Sequence, residues 1–213
     1  MLLFAHAGFT QTNTDKAPLI IREQGSFLAG GTVIKGEGTY DHLDQTNLQG
    51  QTLHGDHAYV SYQIPAVSHP YPMVFLHGAG QSGKTWETTP DGREGFGTLF
   101  LRRGFSTYII DQPRRGRAGN STVSATISAK PQDQYWFENF RMGHWPNLFT
   151  GSQYPNDSAS LEQFFRQITP QHRRLRTRGD SQCFFGCIRQ CWRRHPRHPF
   201  ARRWTWLANC HQE

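Results

Sequence analysis

The run Gly78-Ala79-Gly80-Gln81-Ser82-Gly83-Lys84-Thr85 satisfies the phosphate-loop spacing G-x-x-x-x-G-K-[ST] in full. In that pattern the glycines let backbone amides approach phosphate oxygens, the lysine adds a cation, and the hydroxyl holds Mg²⁺. Asp111, at the end of the apolar run Phe105 to Ile110, would be a second Mg²⁺ contact. A phosphate loop must run straight into a helix, whose N-terminal amides and dipole grip the anion. Here Trp86-Glu87-Thr88-Thr89-Pro90-Asp91-Gly92 follows. Pro90 breaks a helix barely begun, Asp91-Gly92 signals a turn, and Glu87 brings a negative charge close to any phosphate. Nucleotide binding through Gly78 to Thr85 therefore stands as the alternative rather than the leading reading.

Two further groups of residues could do chemistry. His54 and His57 flank Gly55-Asp56, but a pair of histidines without a third placed ligand reads as strand-entry surface, not as a metal site. Cys183, Cys187, Cys191 and His195, each four apart, could offer zinc three sulfurs and a nitrogen. The arginines around them, with Trp192, Trp204 and Trp206, could hold single-stranded nucleic acid by charge and stacking. No apolar pattern surrounds either arrangement.

The elements that would position the first group are legible. Ser26 to Ile34 and His57 to Ile64, rich in Val, Ile, Tyr and Thr between glycine turns, predict the strands of an early hairpin or meander. Pro72 to Leu76 and Phe105 to Ile110 predict strands buried on both faces. Between them, Gly97 to Arg103 predicts a short helix with Leu99, Phe100 and Leu101 on its apolar side. Strand, loop, helix and strand make a parallel unit, and ligands of such units sit at the carboxyl ends of the strands. Pro131 to Pro155 is irregular and aromatic, and reads either as a wall over a pocket or as plain cover for the core. Ser158 to Gln167 predicts a helix capped by Ser158, with Leu161, Phe164, Phe165 and Ile168 at helical spacing.

The net charge of +7 over 213 residues is unevenly placed. Residues 171–213 hold ten Arg against one Asp and one Glu, together with all four cysteines, whereas residues 1–170 balance 13 basic against 14 acidic side chains. The body thus gives no electrostatic reason to seek nucleic acid. It contains no run long enough to span a membrane, so neither a nucleic acid nor a membrane is expected as its partner. Three segments are expected: 1–24, where Met1 to Ala7 reads either as the remnant of an export signal or as an ordinary frayed terminus; 25–170, an α/β domain; and 171–213, a disordered basic tail.

His77-Gly78, Lys84-Thr85-Trp86-Glu87-Thr88-Thr89-Pro90-Asp91-Gly92-Arg93, Leu101-Arg102-Arg103-Gly104-Phe105 and Asp111-Gln112-Pro113-Arg114-Arg115-Gly116-Arg117-Ala118 resemble motifs of a group of exported serine esterases of the α/β-hydrolase fold. The likeness runs from about Gly25 to Pro170. It implies the N-terminal part of that fold, a parallel-rich sheet with flanking helices, left incomplete. It implies that the backbone amide of Ala79 is one half of an oxyanion hole, with His77, Gly78 and Gly80 on the substrate side of the loop and Asp111 to Arg117 shaping the pocket floor, although those basic residues read equally well as a solvated turn. It further implies a small carboxylic ester as substrate, no cofactor, no metal, and an exported intact protein.

The nucleophile elbow, the acid and the histidine that such an enzyme needs, in that chain order, are absent. Back-translating His195 to Gln212 and reading one base later permits Ile-Leu-Val-Thr-His-Ser-Gln-Gly-Gly-Gly, an apolar strand running into a serine elbow. Trp204, with its single codon and followed by Thr205, can yield only Gly in that frame. The expectation is a frame change near codon 170, and a 213-residue chain that is catalytically incomplete.

Overall fold

In a computed structural model, residues 16–127 and 129–170 are described. The expectations for Met1 to Ala7 and for the zinc, nucleic-acid and disorder readings of 171–213 lie outside those residues.

Strand β1 (Ile21–Ala29) pairs antiparallel with β4 (Ala58–Pro65), between which lie β2 (Thr32–Lys35) and β3 (Thr52–Gly55), themselves an antiparallel pair. Then come β5 (Met73–Leu76), a single 3-10 turn at Gly83–Trp86, α1 (Phe96–Arg102) and β6 (Thr107–Asp111). The main sheet has the order β1-β4-β6-β5. Only β5 and β6 run parallel; β4 meets both β1 and β6 antiparallel. The sheet is therefore mixed, not parallel-rich. The expectation came with the resemblance to the α/β-hydrolase fold; the two strands before the strand–helix–strand unit enter by antiparallel pairing, which needs no crossover helix.

Burial follows position in that order. Along β4, Ala58, Val60, Tyr62 and Ile64 are buried while Tyr59, Ser61 and Gln63 are half-buried, the alternation of a strand with one fully packed face. The packed face joins Tyr108 and Ile110 of β6 and Ala29 of β1 in one apolar cluster. Every residue of β6 is buried, because it lies between two strands and under α1, where Gly97 leaves room for Ile109. Strand β5 falls short of its expected burial: it is the edge of the sheet among the described residues, and Leu76 is 39% exposed.

After β6 the chain forms α2 (Asp133–Asn139), the two-residue strands β7 (Gly143–His144) and β8 (Asn147–Leu148), and α3 (Ser158–Arg166). Phe137, Met142 and Phe164 form a second buried cluster, with Phe140 edge-on to Phe164 at 5.9 Å. Most of the aromatic segment is thus core for α3. The cap of α3 is Asp157, not Ser158: its carboxylate accepts from the Ser160 amide at 2.9 Å. Ser158 is the first helical residue, one position too late to cap.

Candidate active site

Two loops leave the sheet at the carboxyl ends of the adjacent parallel strands, His77–Ser82 after β5 and Gln112–Ala118 after β6, the position where ligands of such units bind.

The first loop is small and uncharged apart from His77. His77 is 3% exposed, and both ring nitrogens meet main-chain groups: Nδ1 lies 2.9 Å from the Gly78 carbonyl, and Nε2 accepts from the Gln112 amide at 3.1 Å. Because the Gln112 amide can only donate, the ring is the neutral tautomer with its proton on Nδ1. Burial holds the His77 pKa below its ordinary value, in keeping with that state. Gln112 closes the link by donating from Nε2 to the His77 carbonyl at 2.8 Å. The imidazole, named above among the substrate-side residues, thus positions the loop, with its polar atoms turned to the protein.

Beyond it the Gly78 amide donates to the Gln81 side chain at 3.1 Å. Gly80 has φ of +68°, and a Cβ there would stand 2.5 Å from the Trp136 ring, so this position accepts only glycine on two counts. The Gly80 carbonyl accepts from the Thr169 amide at 2.9 Å. Ala79, between these two tethered glycines, is exposed, and its amide has no hydrogen-bond partner among the described residues.

The second loop is the opposite in character. Asp111, 1% exposed, accepts from the Gly83 amide at 2.5 Å and, through its other oxygen, from the Arg117 amide at 3.1 Å and Arg117 Nε at 2.9 Å. Arg117 also lies over the Tyr59 ring at 4.5 Å. Arg114 pairs with Asp56 at 2.6 Å. Arg115, 4% exposed, donates to the Pro170 carbonyl. The basic motif is no solvated turn: it ties together the loop after β5, the corner before β4 and the segment after α3.

These contacts remove the phosphate-loop reading. Asp111 is occupied by protein donors rather than poised for Mg²⁺. The Gly83 amide, which a phosphate would need, is the donor to it. Lys84 donates to the Thr88 carbonyl, and the chain makes one 3-10 turn instead of a helix. Thr88 to Glu94 then folds back on itself, with the Thr89 amide and hydroxyl donating to the Arg93 carbonyl and Asp91 accepting from Thr89 and Arg93. His54 and His57 border Asp56, whose partners are Arg114, Ser121 and Thr122. Among the described residues no cluster of His, Cys, Asp and Glu could hold a metal ion.

Sequence reasoning did not single out Gln112, Trp136 or Thr169. Gln112 could have been suspected as the polar member of a quoted motif; Trp136 and Thr169 carried no local sign of touching Gly80. A cavity of about 520 Å³ beside β1 and β4, lined by Gln24, Ser61, Gln63, Thr107 and Arg117, shares no residue with the His77–Gly80 loop.

No protein-family model matches the chain. It is 35% identical over 100 residues to a probable secreted lipase of a fungal species (strain ATCC 74256), a stretch covering 46% of this chain and 28% of the lipase. Its fold is similar to that of a bacterial esterase solved at atomic resolution, with 30% identity and a TM-score of 0.64, over 83% of this chain and 58% of the esterase. The chain thus spans well under two thirds of the length of each. Among the described residues no helix is long and apolar enough to cross a membrane. The likeness by sequence is thus to a protein described as a probable secreted lipase, and the likeness by fold to one described as an esterase.

Proposed function

We propose that the described residues form the first part of a serine esterase, and that the loop after β5 supplies one oxyanion donor, the Ala79 amide. The observation that carries this reading is that amide itself: unpartnered among the described residues, at the carboxyl end of a parallel strand, and held between two fixed glycines. An oxyanion hole requires a donor that is preorganised and unused, so that it meets negative charge only as the ester carbonyl becomes tetrahedral. The His77–Gln112 pair, Trp136 and the Thr169 amide supply the preorganisation. Gly78 and Gly80 keep the approach to the carbonyl clear, and Trp136 of α2 bounds it on the Gly80 side.

In the intact protein a serine attacks the carbonyl carbon of a small carboxylic ester. A histidine takes the serine proton and returns it to the leaving alcohol, and a carboxylate orients the histidine. The Ala79 amide and the amide after the serine hold the oxyanion. None of these three groups is assigned among residues 25–170, and residues 171–213 read as translated out of frame.

The test is restoration. The chain as it stands is expected to leave p-nitrophenyl acetate at the background rate. Removing one base near codon 170 should open a frame through Thr-His-Ser-Gln-Gly, and the product should hydrolyse the ester until that serine is changed to alanine. A shifted frame that stops before the elbow, or ester turnover by the 213-residue chain itself, would overturn the proposal.

A further inference from the structure

The loop after β5 is held at two points, and they differ in kind. At the far point, Gly80 is fixed by groups that do not titrate: its carbonyl accepts from the Thr169 amide at 2.9 Å, and the Trp136 ring lies against it. At the root, everything passes through one imidazole. Nε2 of His77 accepts from the Gln112 amide at 3.1 Å, Nδ1 meets the Gly78 carbonyl at 2.9 Å, and the Gln112 side chain returns to the His77 carbonyl at 2.8 Å. Ala79 lies between the two anchors.

The root bond works in one protonation state only. A main-chain amide donates and never accepts, so Nε2 must keep its lone pair. A proton added there would set two N–H groups head to head in a site where His77 is buried. A buried charged donor without an acceptor is costly, and no spare acceptor is offered: the Gly78 carbonyl is taken by Nδ1 and the His77 carbonyl by the Gln112 side chain. The charged groups that face the ring pull in opposite directions. Asp111, at the end of β6, favours the imidazolium, but its two oxygens are engaged by Gly83 and Arg117; Arg115, in the loop after β6, disfavours it. Trp136 and Thr169, which hold the far anchor, bring no charge. Burial decides the balance, and the neutral ring is the folded form.

We propose that His77 is an acid-sensitive latch on the loop after β5: a proton taken from solvent at Nε2 expels the Gln112 amide, frees the root, and leaves Ala79 tethered only through Gly80. That the latch governs an oxyanion donor rests on the reading of Ala79 given above; the latch itself does not. It opens before the surrounding frame does. The Arg114 guanidinium holds the Asp56 carboxyl at about 2, so the pair that anchors the loop after β6 persists far below the range in which an imidazole titrates. Between the two titrations the charged loop stays assembled while the uncharged one comes loose. In the intact protein this adds to the acid limb of ester hydrolysis a histidine that never touches the ester.

Nitrogen NMR of the ¹⁵N-labelled 213-residue chain tests this, with the His77 ring assigned through its own backbone signals. Above pH 6.5 the expected ring is neutral, with its proton on Nδ1, and its midpoint should lie below 6.5. The Ala79 and Gln112 amide signals should shift reversibly with the same midpoint, while the Thr169 amide, on the other anchor, keeps its protection from exchange. In His77→Gln, whose side-chain oxygen can accept from the Gln112 amide at any pH, the Ala79 signal should hold still across that range. The wild-type titration decides alone should that variant fail to fold. A neutral ring with its proton on Nε2, a midpoint at or above 6.5, an Ala79 amide that does not follow the ring, or loss of Thr169 protection at the same midpoint would each overturn the proposal. No readout involves an ester, so an inactive restored protein would sink the esterase reading and leave the latch standing.

Discussion

The loops after β5 and β6 lie side by side and handle their polar groups in opposite ways. The loop after β6 uses its polar groups inward: the carboxylate of Asp111, the side chain of Gln112 and the guanidinium groups of Arg114, Arg115 and Arg117 all meet partners within the protein. The loop after β5 carries no ionised side chain, its His77 and Gln81 are turned to main-chain groups, and the Ala79 amide at its centre is left without a partner among the described residues. The pairing teaches how a backbone amide can be held in place without being used. A free amide beside a strand end would drift to water or to a neighbour, so its own neighbours must be over-tethered by groups from elsewhere. The charged loop supplies the frame, and the uncharged loop presents the donor. This is why the more eye-catching charges are the scaffold and the plainest residue, Ala79, is the candidate for chemistry.

The sharpest way to break that contrast is at Asp111. Asp111→Ala removes a buried acceptor and strands the Gly83 and Arg117 donors, a loss expected at about 3–5 kcal/mol. Urea unfolding of the full chain measures it; a change below 1 kcal/mol, roughly the net worth of a single ordinary hydrogen bond, would show that the charged loop is not the frame. Next is Gly80→Ala, which forces an alanine to φ of +68° and its Cβ against Trp136. It should cost about 2–3 kcal/mol, and Gly80→Ala/Trp136→Ala should recover part of that, since only the contact and not the backbone strain is relieved.

Titration sharpens the comparison from the scaffold side. The Arg114 guanidinium hydrogen-bonded to Asp56 holds its carboxyl pKa near about 2, below the ordinary 3.8. A carboxylate lowered by folding contributes stability above its unfolded pKa and loses it as pH falls through the folded one. The contribution is about 2 kcal/mol, present above about pH 4 and gone below about pH 2. The stability gap between the protein and Asp56→Asn should therefore close across that window, and a gap independent of pH would deny the ion pair its role. His77 works in the same direction at higher pH. Its lowered pKa makes the neutral ring the folded form, so stability present above about pH 6.5 should decline as pH falls through the folded value. Amide exchange at Gly78 and Gln112 should quicken over that range, and His77→Gln should remove the dependence. The smallest effects are expected at the presenting loop itself. Ala79→Ser should change stability by less than about 0.5 kcal/mol, as at an open surface position. Lys84→Ala should neither gain nor lose binding of a fluorescent ATP analogue, because there should be none to lose.

Much of this was legible one segment at a time. The alternation in β4, the apolar run of β6 and the turn at Pro90 to Gly92 are local patterns, set by the two-residue period of a strand and by the fixed φ of proline. They were enough to place the strands and to doubt the phosphate loop. Where local reading failed, the cause was a neighbour distant in sequence. The parallel-rich sheet became mixed because strand order is decided by which antiparallel partner β4 takes, and β5 proved less buried because nothing local marks an edge. Gln112 on His77, Thr169 on Gly80 and Arg115 on Pro170 join residues 35, 89 and 55 positions apart. Composition and period encode which face of an element is apolar, but not which element it will meet. The sequence by itself determined the elements and the type of loop between them; the tertiary structure alone decided which groups would be tied down and which amide would be left unpartnered among the described residues.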